Sequence, residues 1–298
     1  MRVTPRGGGI GFVVTFLLAL IVLNLNDTIH KDLFLPFFGG GLLVAGIGYL
    51  DDLSEISPLQ RFFVHFSAAL WAVVTLGGVP PLSLGFTTVE WGVLGNIIGC
   101  IGIVWMINLY NFMDGIDGIA ASEAIFVVGV TGAFLYINEV YDLAWVCWVL
   151  AAGCAGFLIL NWAPARIFMG DVGSGFLGFV IGVSAIANSE IEELSTWIWL
   201  ILLGVFVVDT LVTLARRLAR SASWYKAHRT HAYQHATIQY DSHARVTLAI
   251  IGINLFWLLP WAVIVWKWTE LSVIATILAL SPLVFLAWHF DAGKERKV

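Results

Sequence analysis

Apolar runs long enough to cross a bilayer dominate this sequence and leave it few folds to choose from. A helix needs about 20 apolar residues to cover roughly 30 Å of hydrocarbon. Ten stretches reach or approach that length: Ile10 to Asn26, Phe34 to Leu50, Phe62 to Gly78, Val93 to Tyr110, Ile119 to Ile137, Leu143 to Leu160, Gly175 to Ala187, Trp197 to Ala215, Val246 to Trp266 and Leu271 to His289. Backbone polar groups in lipid must be satisfied within their own segment, which makes such runs helices. The predicted fold is therefore all-α, a polytopic transmembrane bundle of about ten spans, organised as a single integral-membrane domain over residues 1–298. The first run has no small-residue cleavage site and leads straight into further spans, so it does not read as a signal peptide.

Composition excludes the alternatives. With 59% hydrophobic and 12% charged residues, against about 45–50% and 25% in soluble domains, the chain cannot be a soluble enzyme, a nucleic-acid binder or a disordered scaffold. Cys100, Cys147 and Cys154 all sit in apolar runs, where they read as small packing residues rather than disulfide or zinc ligands.

Ten alternating spans put thirteen of the fifteen Lys and Arg residues on one face, leaving Lys31 and Lys267 on the other. The positive-inside rule makes the basic face cytoplasmic. With eleven acids on that face and nine on the other, the inner surface carries +2 and the outer −7. Trp91, Trp145, Trp148, Trp197, Trp199, Trp266 and Trp268 fall near the predicted outer ends, as an aromatic belt would. Glu190, Glu192 and Glu193, with Asp27 and Asp32, read as a solvated outer face.

The chemically unusual residues are predicted at the inner face. Asp51-Asp52 ends the second run, and two adjacent like charges need a neutralising partner. NFMDGIDG follows the fourth run, where Asn111, Asp114 and Asp117 recur every three residues and so share one face of a helical turn. An N-cap role accounts for Asp117 but not for all three. A hard cation such as Mg²⁺ uses one or two protein oxygens and completes its shell with water and phosphate. In FMGDVGSG, Asp171 stands among glycines where a helix N-terminus favours anions, and Phe168 is placed either to stack on a flat base or to anchor at the interface. The loop WYKAHRTHAYQHA joins three histidines to Lys226 and Arg229; with no cysteine and two cations beside them, phosphate contact is favoured over a metal site. Asp209, inside the eighth run, is expected to be paired, with Arg216 and Arg217 the nearby cations.

The order TPRGGG, DD, NFMDGIDG, NWAPARIFMGD and HRTH resembles the polyprenyl-phosphate N-acetylhexosamine-1-phosphate transferases, over nearly the whole chain. The tail HRTHAYQ is most similar to the branch that starts O-antigen or related surface glycans. That resemblance implies an enzyme of the bacterial inner membrane, its active site facing the cytoplasm. It would pass a sugar 1-phosphate from a UDP-amino sugar to undecaprenyl phosphate and release UMP. It implies Mg²⁺, with Mn²⁺ able to substitute, held by Asp171 and Asn111. Asp51, Asp52, Asp114 and Asp117 are the implied catalytic acids, Asp51 and Asp52 near the lipid phosphate as base or organiser of charge. Asp117 and Asn161 would contact the uridine, Phe168 would stack on the uracil, and His228, Arg229 and His231 would hold the phosphates. A phosphate monoester is largely ionised at neutral pH, since its second pKa is near 6, so direct attack is favoured over a covalent phospho-intermediate. The partners that the resemblance implies are the two substrates and the lipid bilayer, and it is compatible with a homodimer.

Members of that family usually carry one more helix and a polar stretch before the glycine-rich motif. Here Thr4 comes three positions after Met1, so either translation starts further upstream or that helix is missing. Two rival readings fit less well. An ion-coupled secondary transporter should show midplane sites and repeat symmetry, and an intramembrane aspartyl protease does not need the His-Arg loop.

Overall fold

The computed structural model describes residues 4–84, 87–187, 194–220 and 229–295. His228, Lys226, Arg2 and the outer Glu190, Glu192 and Glu193 lie outside the described residues. The helices, in chain order, are α1 Ile10–Leu25, α2 Lys31–Leu53, α3 Pro58–Thr75, α4 Gly92–Met113, α5 Ile119–Ile137, α6 Tyr141–Asn161, α7 Gly170–Ala187, α8 Thr196–Leu202, α9 Gly204–Ala219, α10 Ala232–Tyr240, α11 His243–Lys267 and α12 Thr269–His289. A two-residue hairpin, Leu82–Ser83 against Thr88–Val89, joins α3 to α4.

Every predicted run is helical, but the span count is lower than ten. Among the described residues seven helices are long and apolar enough to cross a membrane, or eight if α8 and α9, bent by 76°, form one broken span. The difference has two sources. At 16 residues α1 rises only about 24 Å, short of the hydrocarbon thickness. Helix α3 opens with Gln60, Arg61 and His65, which dilute its apolar content.

Helices α5 and α7 are buried over most of their length, whereas the other candidate spans bury about a third. They form the centre, with α4 and α2 packed on α7 and α6 on α5. The rim exposes Leu18, Val22, Ile97, Ile159, Phe256 and Phe285, an apolar surface that only lipid satisfies. Trp91, Trp145 and Trp268 are exposed as a belt requires, but Trp199 is buried. It lies on α8, which packs against α11 and α12.

Small residues allow close helix crossings. A Cβ on Gly48 would come within 2.7 Å of the Asp171 carbonyl oxygen, so glycine lets α2 lie directly on the first turn of α7. That contact brings the acidic end of α2 to Asp171.

Candidate active site

The acidic pair of α2 and the start of α7 form one unit. Asp52 accepts two backbone hydrogen bonds from α7, Asp171 N–H to Oδ1 at 2.9 Å and Val172 N–H to Oδ2 at 3.1 Å. The anion predicted at this helix N-terminus is thus a side chain of the protein. Gly170 permits it: its φ is +76°, and a Cβ there would meet Asp52 Oδ2 at 2.5 Å.

Asp51 points the other way. Its Oδ1 accepts the Ile56 N–H at 2.8 Å, and its Oδ2 lies 2.6 Å from Nη1 of Arg61. The same Nη1 is 3.4 Å from Asp171 Oδ2, so Arg61 bridges the two acids. Arg61 is held in the first turn of α3, which begins with a Ser57–Gln60 capping box and Pro58. Asp171 is also reached from α4, where Asn111 Nδ2 donates to its Oδ1 at 2.9 Å and to Ser174 Oγ at 3.2 Å. Asp51, Asp52, Asn111 and Asp171 therefore meet at one end of the bundle.

Asp114 ends α4 beside them and is half-buried. Burial, then the charges of Asp171, Asp52 and Asp117, push its carboxyl well above the usual carboxylate range. Among the described residues no three His, Cys, Asp or Glu side chains converge as a metal cage.

Asp117 and Asn161 join two loops. Asp117 Oδ2 accepts the Ala165 N–H at 3.0 Å, and Oδ1 lies 3.2 Å from His243 Nδ1. The cap of α5 is not Asp117 but Gly118, in a left-handed conformation. Asn161 is buried; its Oδ1 accepts the Gly118 N–H at 3.0 Å, and its Nδ2 donates to the Ile167 carbonyl at 2.9 Å. With both ends of its amide engaged, Asn161 fixes the loop rather than offering a free group. Phe168 is 40% exposed, and its backbone pairs with Pro5 and Gly8 of the glycine-rich N-terminal segment.

The histidine-rich segment is arranged differently from the expectation. Arg229 is exposed, but His231 is buried and its Nδ1 lies 3.1 Å from Asp209 Oδ1. Asp209 also accepts the Ala232 and Tyr233 N–H groups at 3.0 and 3.1 Å, which caps α10. So Asp209 is paired as expected, but with His231 and not with an arginine. Arg216 donates instead to the Ala292 carbonyl and lies over the Trp288 ring, and Arg217 lies 4.0 Å from Glu295. His235 turns inward to the Phe290 carbonyl. Tyr233 Oη donates to the Phe112 carbonyl at 2.9 Å. Behind it an apolar cavity of about 410 Å³ is walled by Val205, Ala236, Ile250, Ile253 and Leu283, with buried Asp209 and exposed Arg245 also lining it.

Two residues of this site carry no obvious sequence signal. Arg61 is hidden among the positive-inside cations, although its place one short loop after the acidic pair is a hint. His243 stands alone before an apolar run, and only the fold shows it beside Asp117.

Residues 34–189, which include Asp51 through Asp171, match the family model described as glycosyl transferase family 4. The phospho-N-acetylmuramoyl-pentapeptide-transferase of Listeria monocytogenes is 27% identical over 270 residues, covering 85% of this chain and 81% of the relative. The probable undecaprenyl-phosphate N-acetylglucosaminyl 1-phosphate transferase of Bacillus subtilis is 24% identical, covering 84% and 70%. The decaprenyl-phosphate N-acetylglucosaminephosphotransferase of Mycobacterium leprae is 28% identical, covering 85% and 72%. With the acid-bearing helix ends inside a match that takes in just over half of its residues, the chain belongs to glycosyl transferase family 4, the polyprenyl-phosphate hexosamine-1-phosphate transferases.

Proposed function

We propose that the protein transfers an N-acetylated amino-sugar 1-phosphate from a UDP-sugar to undecaprenyl phosphate on the cytoplasmic side of the bacterial inner membrane. An oxygen of the lipid phosphate attacks the sugar-bearing phosphorus; its bond to the bridging oxygen breaks, and UMP leaves with that oxygen. The observation that carries the reading is the meeting of Arg61, Asp51, Asp52 and Asn111 at Asp171, from helices far apart in sequence. Phosphoryl transfer depends on positioning and on neutralising charge more than on covalent chemistry. The HRTHAYQ segment favours O-antigen or a related surface glycan as the product's destination.

The donor set fits Mg²⁺. Asp171 and Asn111 offer hard oxygen ligands, and the surplus of acids around Asp114 calls for a cation. With the Asn111 amide turned so that its oxygen faces Asp171, these two residues would hold the ion. When bound it supplies neutralisation of pyrophosphate charge. The chain's own contributions are separate: Asp52 sets the first turn of α7, Arg61 offers a guanidinium fork to a phosphate, and Phe168 presents an open ring beside the loop held by Asp117. The apolar cavity behind Tyr233 suits the acceptor's hydrocarbon chain.

The test is UMP release and lipid-linked product from purified protein with undecaprenyl phosphate and a panel of UDP-sugars. Turnover with at least one UDP-N-acetylamino sugar is expected. Absence of lipid-linked product from all of them, in protein that is folded and supplied with Mg²⁺, overturns the reading.

A further inference from the structure

Helix α11 is an apolar span with a polar stripe along one side. His243, Thr247 and Asn254 lie within about 40° of one another around the helix axis, and each meets the segment that carries the acidic motif. Thr247 Oγ1 donates to the Asp117 carbonyl at 3.0 Å, and Asn254 Nδ2 donates to Glu123 Oε2 at 2.6 Å. His243 reaches the Asp117 carboxylate at 3.2 Å. Thr247, Asn254 and Glu123 are buried, so those two contacts anchor α11 along the start of α5. His243, at the exposed end of the stripe, is left to act on Asp117 itself.

Its Nδ1 also accepts the Asp117 backbone N–H at 3.3 Å. One ring nitrogen cannot both donate to the carboxylate and accept from the amide. The amide N–H is the one directed at the ring nitrogen, so Nδ1 is the acceptor and the carboxylate lies beside it. Asp117 is then held by His243 at its amide, and its Oδ2 in turn holds the Ala165 N–H. The connection runs from the first turn of α11 to the loop that presents Phe168.

We propose that His243 is a positioning residue for the nucleotide half of the substrate: by orienting Asp117 it sets the 162–168 loop for the uridine. The inference rests on the proposed transferase activity and on Asp117 and Phe168 facing the nucleotide. It separates His243 from the transfer step, because the acids around Arg61 are held by other helices.

The experiment compares wild type, His243→Ala, His243→Asn, Asp117→Asn and the double variant His243→Ala/Asp117→Asn. Steady-state kinetics with both substrates are run beside calorimetric binding of UMP, which needs neither acceptor nor turnover. Losing a hydrogen bond at a half-exposed site should raise KM for the UDP-sugar and Kd for UMP on the order of 5- to 10-fold. The kcat and the KM for undecaprenyl phosphate should change less than two- to three-fold on the same grounds. His243→Asn, whose Oδ1 can accept in place of Nδ1, should recover most of the loss. In the Asp117→Asn background His243→Ala should add little. Unchanged UMP affinity in His243→Ala, or a fall in kcat with KM for the UDP-sugar unchanged, overturns the inference while leaving the transferase reading intact. If His243→Ala does not fold, failure of His243→Asn to match wild-type UMP affinity overturns it. Wild-type protein that neither binds UMP nor turns over removes the transferase reading and this inference together.

Discussion

Asp52 caps the helix that begins with Asp171: its two carboxylate oxygens accept the N–H groups of Asp171 and Val172 at 2.9 and 3.1 Å. A carboxylate used in this way is part of the scaffold that aims Asp171. Asp52→Ala should therefore cost about 0.5–2 kcal/mol of stability, the usual cost of losing a helix cap, and turnover should fall with it. Thermal unfolding followed alongside UMP release checks this. An unchanged Tm with turnover abolished would instead give Asp52 a direct part in the chemistry.

Asp171 sits where Asn111, Arg61 and Asp51 meet. Asp171→Asn keeps its size but removes the charge that would hold the cation. The rate should drop on the order of 10³-fold, and a higher Mg²⁺ concentration should recover part of it. Glu270→Gln, an exposed change away from the acidic cluster, is the control. Near-normal turnover of Asp171→Asn at low Mg²⁺ would remove the metal assignment.

Arg61 is the cation that spans Asp51 and Asp171. Arg61→Ala should lower kcat about 10- to 100-fold, since removing one positioned charge-assisted contact costs about 1.5–3 kcal/mol. Arg61→Lys should restore only part of this, because a point charge cannot reproduce the planar fork. Equal activity of the Lys and Arg proteins would reduce Arg61 to a general counter-charge.

Asp114 carries a carboxyl pushed upward by burial and by neighbouring acids. Its folded-state pKa lies above the unfolded value near 4, so the folded protein binds the proton more tightly. Stability should then rise as pH falls through the raised value and level off below about pH 4. Asp114→Asn should flatten that slope in metal-free protein, keep or raise Tm at neutral pH, and abolish turnover if the ionised acid is needed. Unfolding midpoints across pH for both proteins decide it; identical slopes would show that Asp114 is not the group responsible.

His231 is locked against Asp209 inside the bundle. His231→Ala should act through folding, leaving a buried carboxylate without its partner at a cost of about 3–5 kcal/mol. The folded yield should fall sharply, with KM for the UDP-sugar little changed in what survives. A raised KM with unchanged Tm would return His231 to the role of a phosphate contact.

The amino-acid sequence by itself determined the helical, membrane-embedded class and the gathering of Asp51, Asp52, Asn111 and Asp171 at one end of the bundle. Hydrocarbon length and backbone satisfaction leave apolar runs little choice, and a motif that follows a span must lie at its end. The partners of each acid were decided only by tertiary structure. Whether Asp209 meets His231 or Arg216, whether Asp52 faces a lipid or the first turn of α7, and whether His243 reaches Asp117 depend on helix rotation and on the bend between α8 and α9. Helix rotation here is set by close crossings such as that at Gly48, between residues more than a hundred positions apart. Apolar residues on all sides of a span give no periodic signal of which face turns inward, so the sequence carried the inventory of charges and the packing chose their pairs.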